Sequence, residues 1–444
     1  MKVLILNSPI YREHTEANEE YLPSLGLCYI ATHLKEASID TEIIDCVKEH
    51  FGLKEIYSLL AKSQPDYLAL NVFTQNLDIV CEIAENCPKK STLIIGGQVV
   101  KSIYEEILKW NLSNPLIIVI GESEFILPDI ILNSCKQKPI YESEAKKVYR
   151  VNSSSVYFPH DLSKVHIDRT FLKNDVIMNH YGQQEVAIIT SRGCSYDCAF
   201  CGAASSKNCD ASIRYRPNSD TKDEIKSIVS THPGVSSIRV LDDLFLRDEQ
   251  SIKMAIELFG AFAGLSWRGM AHILTFINKL GLLPSLHQSG CREMFIGVES
   301  GSDRIRKKIN KAGTTNQVIN VITKILEAGI DVKIYLMYGF PDETYGEAEE
   351  TFALAEKLKR ISQSTDGNFR TSVFQFRPYH GTKLYDEIIN SGKVIGNVKQ
   401  NEQLNIFSKR SQFNFYSGNF SGMNDEELND FVLRTQSLSE ESND

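Results

Sequence analysis

Short apolar runs alternate with amphipathic stretches over most of the chain, a rhythm that predicts an α/β protein. In the first part the runs fall at residues 3–7, 41–45, 67–72, 92–95 and 116–120, and Val, Ile and Leu dominate them. Between them, residues 26–35, 53–62, 77–86 and 102–109 place apolar side chains at helical spacing, as Ile103, Ile107 and Leu108 do. Residues 122–133 follow the last run in the same way. Strands and helices in strict alternation imply a parallel sheet covered on both faces. The opening Met1-Lys2-Val3-Leu4-Ile5-Leu6-Asn7 turns polar too soon for a secretory signal and reads as the first strand.

From about residue 140 to 184 no period is sustained, and Asn152-Ser153-Ser154-Ser155 points to a surface connector. A second series then begins, with strands expected at 186–190, 238–241, 266–268, 294–298, 332–338 and 372–376. Helices are expected at 221–230, 248–263, 274–289, 316–328 and 345–359. Six βα units fall short of the eight that close a barrel, so an open, partial (β/α)6 barrel of the TIM type is expected. The division that follows is a flavodoxin-like, Rossmann-type domain over 1–140, a connector over 141–184, the partial barrel over 185–390 and a helical tail over 391–444. That tail holds one helix near 425–433 and an acidic end, Glu440-Glu441-Ser442-Asn443-Asp444.

Composition narrows the function. Lys and Arg total 48 against 57 Asp and Glu, a formal charge of -9 that argues against a broad nucleic-acid or anionic-membrane surface. No stretch approaches the ~20 apolar residues of a membrane span. Ten cysteines without a secretory signal indicate a reducing compartment, hence a cytoplasmic protein whose thiols serve as ligands or core residues. Seven of them, Cys28, Cys46, Cys81, Cys87, Cys135, Cys209 and Cys291, are scattered and read as small buried hydrophobes.

Chemistry is expected in two places. Ligands of open α/β sheets bind beyond the carboxyl ends of the strands. Those ends carry Asn7-Ser8-Pro9, Asp45, Asn71, Gly96-Gly97-Gln98 and Gly121-Glu122-Ser123-Glu124, a polar, glycine-bearing rim suited to a cofactor. The other place is Thr190-Ser191-Arg192-Gly193-Cys194-Ser195-Tyr196-Asp197-Cys198-Ala199-Phe200-Cys201-Gly202, which follows the first strand of the second series. Three thiolates on one short loop suit a cubane iron–sulfur cluster with one iron left open. A zinc knuckle or a chance triplet are the alternatives, although no second cysteine pair supplies the usual four zinc ligands.

The triplet, with its aromatic Phe200 just before the last cysteine, resembles the radical S-adenosylmethionine (radical SAM) family. The resemblance implies a 4Fe-4S cluster on Cys194, Cys198 and Cys201, with SAM chelating the open iron and yielding a 5′-deoxyadenosyl radical on reduction. Further segments resemble the same family in order. Val240-Leu241-Asp242-Asp243-Leu244-Phe245 is similar to a second-strand motif of its cobalamin-associated branch. Phe295-Ile296-Gly297-Val298-Glu299-Ser300-Gly301-Ser302 resembles the fourth-strand segment that meets SAM, and Lys311-Ala312-Gly313-Thr314 the turn after it. Tyr338-Gly339-Phe340-Pro341-Asp342-Glu343-Thr344 resembles the turn near adenine, with Asp342 where glycine is commoner. The SAM contacts implied are Phe200, Asp242, Asp243, Glu299, Ser300, Gly339 and Pro341. Glu299 also stands out by itself, since a carboxylate ending an apolar strand needs a partner.

In the first domain, Leu25-Gly26-Leu27-Cys28-Tyr29-Ile30-Ala31-Thr32-His33-Leu34-Lys35 resembles the first helix of the cobalamin-binding domain fused to many such enzymes. The two glycine turns resemble that domain's own, with Gln98 near a usual histidine and Ser123 in place of a glycine. The cobalamin contacts implied are Asn7, Gly96, Gly97, Gln98, Gly121 and Glu122. The Asp-x-His-x-x-Gly motif that supplies a lower cobalt ligand elsewhere is absent, and His33 reads as a helix-surface residue. The loop from Tyr11 to Leu22, with His14, is read as a cover for a ligand face or a solvated lid.

The resemblance as a whole is to the class B radical SAM methyltransferases. It implies cobalamin-dependent C-methylation of a small metabolite, with flavodoxin or ferredoxin as electron donor. One SAM would methylate the cobalamin and a second would supply the radical that activates the substrate carbon. The alternative is a radical SAM dehydratase, epimerase or cyclase with a vestigial cobalamin domain. Arg377, Tyr379 and His380, after the last strand, either face the substrate or cap the barrel.

Overall fold

The computed structural model describes residues 1–13, 22–173, 175–393, 399–400, 415–416 and 418–439. Most of the 11–22 loop, His14 included, and the acidic end from Glu440 lie outside the described residues. The chain forms two compact units. One holds Met1–Asp175 with Asp210–Ser212 and Tyr379–Gly381; the other holds Val176–Cys209, Ile213–Pro378 and Thr382–Asp444.

The first unit is built on β1 (Lys2–Asn7), β2 (Asp40–Asp45), β3 (Tyr67–Asn71), β4 (Thr92–Gly96), β5 (Leu116–Ile120), β6 (Tyr141–Glu142) and β7 (Lys146–Arg150). They lie in the order β2-β1-β3-β4-β5-β7-β6. All pairings are parallel except that of β6 with β7. The first five strands therefore follow the flavodoxin-like 2-1-3-4-5 order, whose direction of winding reverses between β1 and β3. Period 2 explains the two cores: Leu4 and Leu6 face one, Val3 and Ile5 the other. Helices Leu53–Ser63, Leu77–Glu85 and Val100–Ile107 cover the first face; Leu25–Glu36 and Ile126–Ile131 cover the second.

β6 and β7 fall where the sequence shows no period. β7 is Lys-Lys-Val-Tyr-Arg, with only Val148 and Tyr149 buried. Its Lys146 ammonium ends on the carbonyls of Leu108 (2.7 Å) and Trp110 (3.2 Å). A long lysine stem covers apolar surface while its head finds oxygen, so the strand reads as polar although the sheet accepts it.

The second unit is built on β8 (Ile177–Met178), β9 (Gln184–Ile188), β10 (Ser191–Arg192), β11 (Arg214–Tyr215), β12 (Val235–Val240), β13 (Ser266–Ala271), β14 (Cys291–Glu299), β15 (Asp331–Tyr338) and β16 (Phe369–Gln375). Six strands, β9 and β12 to β16, run parallel in sequence order, with β8 antiparallel at one edge. This is the open six-stranded half-barrel expected. Its outer face (Val186, Ile188, Ile238, Ile296 and Ile334 among others) packs on the helices. The helix Asp425–Ser437 closes over β15, with Phe431 stacked on Tyr338 at 5.6 Å. Among the described residues no helix is long and apolar enough to cross a membrane.

Candidate active site and cofactor edges

The cysteine loop leaves β9 and is bracketed by the antiparallel pair β10 and β11. The chain anchors it from beneath. Ala199 donates its N–H to the Ile309 carbonyl (2.9 Å) and accepts from Leu384 N–H (3.0 Å). The Asn310 amide donates to the Asp197 carbonyl (2.7 Å), and Lys383 pairs with the Asp197 carboxylate. That pairing, with Ser206 donating as well, holds the Asp197 carboxyl down at about 2. Phe200 turns to Phe340 (6.0 Å) over a cluster of Ile305, Ile309, Phe376 and Leu384. The aromatic before the last cysteine is thus an anchor of the loop.

All three thiols are at least half-buried. Burial pushes Cys201 up to about 12, and Cys194 and Cys198 also lie above the ordinary thiol value. Three buried thiolates are unstable without a cation to hold, which is the donor chemistry an iron–sulfur cluster requires. Three cysteine donors on one loop are the number a cubane with one open iron takes, and one fewer than a structural zinc site usually has.

Around the loop stand the carboxyl ends of β12, β14 and β15. Asp243 accepts the Gly193 N–H (3.1 Å) at the entrance to the cysteine loop. Asp242 is buried, and its carboxylate accepts from Thr190 N–H (2.7 Å), Thr190 Oγ1 (2.6 Å) and Ser191 Oγ (2.6 Å). It is therefore committed to clamping the start of the loop, and Asp243 is the member of the pair that faces outward. Glu299 has φ +69, at a register shift between β14 and β15. Its Oε1 receives Lys311 Nζ at 3.0 Å. A Cβ on Gly297 would lie 2.4 Å from that oxygen and 2.8 Å from the ammonium, so glycine there makes room for the ion pair. Arg306, itself buried, ties the pair's two carriers together by donating to the carbonyls of Val298, Gly313 and Ala312. Ser300 turns the other way, bonding Thr351 Oγ1 at 3.1 Å.

The turn after β15 brings Gly339 (φ +92) and the buried Pro341 to the same end of the sheet. Glu343 supports it: Oε2 accepts from the N–H of Gly339 (2.6 Å) and Phe340 (3.2 Å), while Oε1 is buried without a partner. Burial raises this carboxyl to about 8, against an ordinary ~4.3 in the unfolded chain. A raised folded value means that the group favours folding below ~4.3 and loses that advantage as pH rises towards 8. Glu343→Gln should therefore gain stability relative to wild type as pH rises from 5 to 9, by about 2–4 kcal/mol over that range. Paired thermal melts at the two pH values check the change.

Sequence reasoning assigned no role to His272, at the end of β13. Its ring stacks on Tyr196 of the cysteine loop at 3.9 Å, and Nδ1 accepts the Leu274 N–H. Nε2 is buried without a partner. Burial holds the ring neutral, at about 3, so Nε2 carries the proton and is a spare donor beside the loop. Arg247 was missed too; it grips Ser191 and the Leu244 carbonyl while lying over Tyr215 at 4.9 Å. Neither residue belongs to a motif with fixed spacing, so only the folded chain reveals them.

In the first unit the reversal between β1 and β3 gathers the polar rim. Asn7 donates to Asp45 (2.7 Å), Asn71 donates to Asn7 (2.9 Å), and Asn71 accepts the Ser8 N–H (2.6 Å). Ser8 Oγ is buried without a partner. A cavity of ≈ 230 Å³ opens beside Asp45, lined also by Ser24, Lys48, Phe51 and Phe171. Gly97 and Gln98 are exposed, Gly96 and Glu122 half-buried. A rim of amide and hydroxyl groups with exposed backbone fits a ligand as rich in amides as cobalamin.

One expectation about this edge needs correction, and its glycines have a task within the chain as well. The glycines make room for the protein itself: a Cβ on Gly97 would sit 2.4 Å from the Val72 carbonyl oxygen, and one on Gly121 2.1 Å from that of Val151. Both have positive φ, +125 and +98. Gly121→Ala should cost about 2–4 kcal/mol, read as a lower unfolding midpoint of the apoprotein. His33 is not on the helix surface; it is 7% exposed. Residues 165–168 fold back over the helix Leu25–Glu36, so that Nδ1 meets Glu36 (3.0 Å) and Nε2 accepts the His166 N–H (3.3 Å). Both nitrogens are occupied, so His33 is no metal ligand. Tyr379 and His380 belong to the first unit, where they bond Gln75 (3.3 Å) and Thr74 (3.1 Å).

A flavodoxin-like unit with a polar switch-point rim and a half-barrel bearing a three-cysteine loop define a two-domain α/β enzyme class. Comparison with known proteins identifies it: residues 188–355 match the radical SAM superfamily and residues 17–131 the B12 binding domain. The chain is a radical SAM enzyme with a B12-binding domain. It is 27% identical over 410 residues to an uncharacterized methyltransferase of Pyrococcus horikoshii, covering 89% of this chain and 84% of the relative. It is 21% identical to the anaerobic magnesium-protoporphyrin IX monomethyl ester cyclase of Rubrivivax gelatinosus, covering 80% of this chain and 65% of that one. Among solved structures, the cobalamin-dependent radical SAM enzyme OxsB with aqua-cobalamin bound matches with TM-score 0.65 at 16% identity, over 94% of this chain and 64% of OxsB. The radical SAM methyltransferase TsrM of Kitasatospora setae matches with TM-score 0.64 at 15% identity, over 90% of this chain and 78% of TsrM. At these identities the two structures attest the fold.

Proposed function

We propose that this protein is a cobalamin-dependent radical SAM methyltransferase that acts on a carbon of a small metabolite, in the cytoplasm, with flavodoxin or ferredoxin as electron donor. The observation that carries the reading is the union in one chain of the cysteine loop and a B12-binding domain, together with methyltransferase-named relatives. The dehydratase, epimerase or cyclase alternative has against it a switch-point rim that retains its polar groups.

When bound, the cluster, SAM and cobalamin together supply the radical and the methyl group. The protein's own part is to hold and orient. Cys194, Cys198 and Cys201 would ligate the cluster, on a loop whose backbone is anchored at Ala199 and Asp197. Glu299, fixed by Lys311, would take a hydroxyl or ammonium group of SAM, and the exposed Asp243 would add a further contact. Gly339 and Pro341 would border its adenine, and Phe200 and Asp242 keep the loop in place. Asn7, Gly96, Gly97, Gln98, Gly121 and Glu122 would form the cobalamin edge. No side-chain acid or base is required.

The test is anaerobic reconstitution with iron, sulfide and hydroxocobalamin, followed by SAM and dithionite. Release of 5′-deoxyadenosine, corrin absorbance on the protein and a product heavier by one methylene support the reading. Radical formation by protein that never takes up cobalamin would decide for the alternative.

A further inference from the structure

Tyr196 stands midway between Cys194 and Cys198, two residues from each. Its ring is covered by His272, which follows β13 and is only 4% exposed. The two rings lie nearly parallel, with planes 19° apart and centres 3.9 Å apart. The backbone pins both partners. Ser205 N–H donates to the Tyr196 carbonyl (2.9 Å), His272 N–H to the Leu246 carbonyl (3.3 Å) and Thr275 N–H to the His272 carbonyl (3.0 Å). Ile273, next in the chain, presses on the turn that carries Lys311: a Cβ on Gly313 would lie 2.5 Å from its Cδ1. The imidazole is therefore fixed where the cysteine loop meets the end of β13 and the Lys311 turn.

Nδ1 of that ring accepts the Leu274 N–H (3.2 Å), which sets the tautomer with the proton on Nε2. Nε2 is buried and has no hydrogen-bond partner among the described residues. Burial first, then the cations Lys311 and Arg306, keep the ring from taking a second proton. A buried N–H without an acceptor costs the whole of its desolvation, and folded chains rarely keep one. An apolar ring would cover Tyr196 at no such cost. A cluster on the loop would supply the acceptor. Sulfides and thiolates of an iron–sulfur cluster accept hydrogen bonds, and those bonds are among the levers that set its reduction potential. One-electron reduction adds negative charge to the sulfurs and strengthens the bond, so a donor there favours the reduced state.

We propose that His272 donates its Nε2 proton to a sulfur of the cluster held by Cys194, Cys198 and Cys201, and thereby raises the potential at which the cluster is reduced. Stacking on Tyr196 aims the donor, and the Leu274 N–H keeps the tautomer that can give it. The inference rests on the radical SAM reading of the loop and adds to it a residue that tunes the cluster.

The experiment is a potentiometric titration of the full-length, anaerobically reconstituted protein without SAM, read by EPR of the reduced cluster. Wild type is compared with His272→Phe, which keeps a flat ring on Tyr196 and removes the donor, and with His272→Gln, which keeps an N–H. At a fixed potential the ratio of reduced to oxidised cluster should fall about tenfold in His272→Phe, a midpoint lower by about 59 mV, and recover in part in His272→Gln. Pulsed EPR on protein carrying isotope-labelled histidine nitrogen should show a weak coupling to the reduced cluster in wild type that His272→Phe loses. Equal midpoints for wild type and His272→Phe at equal iron and sulfide content overturn the proposal. They do so even where SAM binds the variant more weakly, since the donor then serves SAM and not sulfur. If His272→Phe assembles no cluster, the labelled wild type decides: a histidine coupling supports the proposal and its absence overturns it. Iron content and 5′-deoxyadenosine release are read on the same wild-type preparation. Wild type without a four-iron cluster strikes the radical SAM reading itself, whereas wild type that cleaves SAM while the midpoints coincide strikes only this inference.

Discussion

Replacing Cys198 with alanine should abolish 5′-deoxyadenosine formation and lower bound iron from about four per chain to near zero. The effect on stability should be small, within about 1 kcal/mol, because the loop is anchored by its backbone and by Phe200 rather than by the thiol. Cys194→Ala and Cys201→Ala should behave alike, since a cluster with two protein ligands is not retained. Iron and sulfide analysis, EPR of the reduced protein and product detection after SAM addition check this together. An alanine variant with full iron and full turnover, or a wild type that holds only mononuclear zinc, would refute the assignment of the loop.

Glu293→Ala should cause the largest loss of stability of any substitution considered, about 3–5 kcal/mol. The Glu293 carboxylate is wholly buried and accepts from Arg268 (2.9 Å) and Arg370 (2.5 and 2.8 Å). Truncation removes the buried carboxylate that Arg268 and Arg370 share at the centre of this network. The melting temperature should fall by roughly 10 °C. Burial alone would raise the Glu293 carboxyl, but Arg370 and then Arg268 outweigh it and hold it far below the usual carboxylate range. A depressed folded value contributes stability above the unfolded ~4.3, and loses it only as pH falls towards the folded value. The difference between variant and wild type should therefore be constant from pH 9 to about 5 and shrink in stronger acid. A difference under 1 kcal/mol at pH 7 would show that the network is dispensable.

These two effects differ in how openly the sequence announces them. The cysteine triplet carries its chemistry in local spacing, and so do the Gly-rich turns and the alternating strands, because each is set by neighbours along the chain. Glu293, Arg268 and Lys333 do not. Each sits at an alternate position of a strand that otherwise reads as apolar, and a lone charge there gives no sign of its partner. Glu299 is an intermediate case. Its place at a strand end marks it as needing a partner, but the register shift at Gly297 that turns it towards Lys311 is a property of two strands together. Asp242 and Asp243 are neighbours that look equivalent, yet pleating sends one into the hydrogen bonds of Thr190 and Ser191 and leaves the other exposed.

The same division explains the misread residues. His33 lies on a helix whose outer side looks solvated until residues 165–168 return across it. β7 joins the sheet through two buried side chains and two lysine stems, a pattern too short for any period to show. The glycines at 97 and 121 are visible as glycines, but whether a ligand or the chain approaches them depends on where Val72 and Val151 lie. What the linear chain determined by itself is the βα alternation and the three-thiol loop, since local propensity and spacing encode these. What tertiary structure alone decided is which charges meet: the Glu299–Lys311 pair, the bridge of Arg268 between Glu185 and Glu293, and the spare donor of His272. Those depend on the register and curvature of strands distant in sequence, and electrostatic energy is a function of that separation in space and of burial, neither of which is written in any one segment.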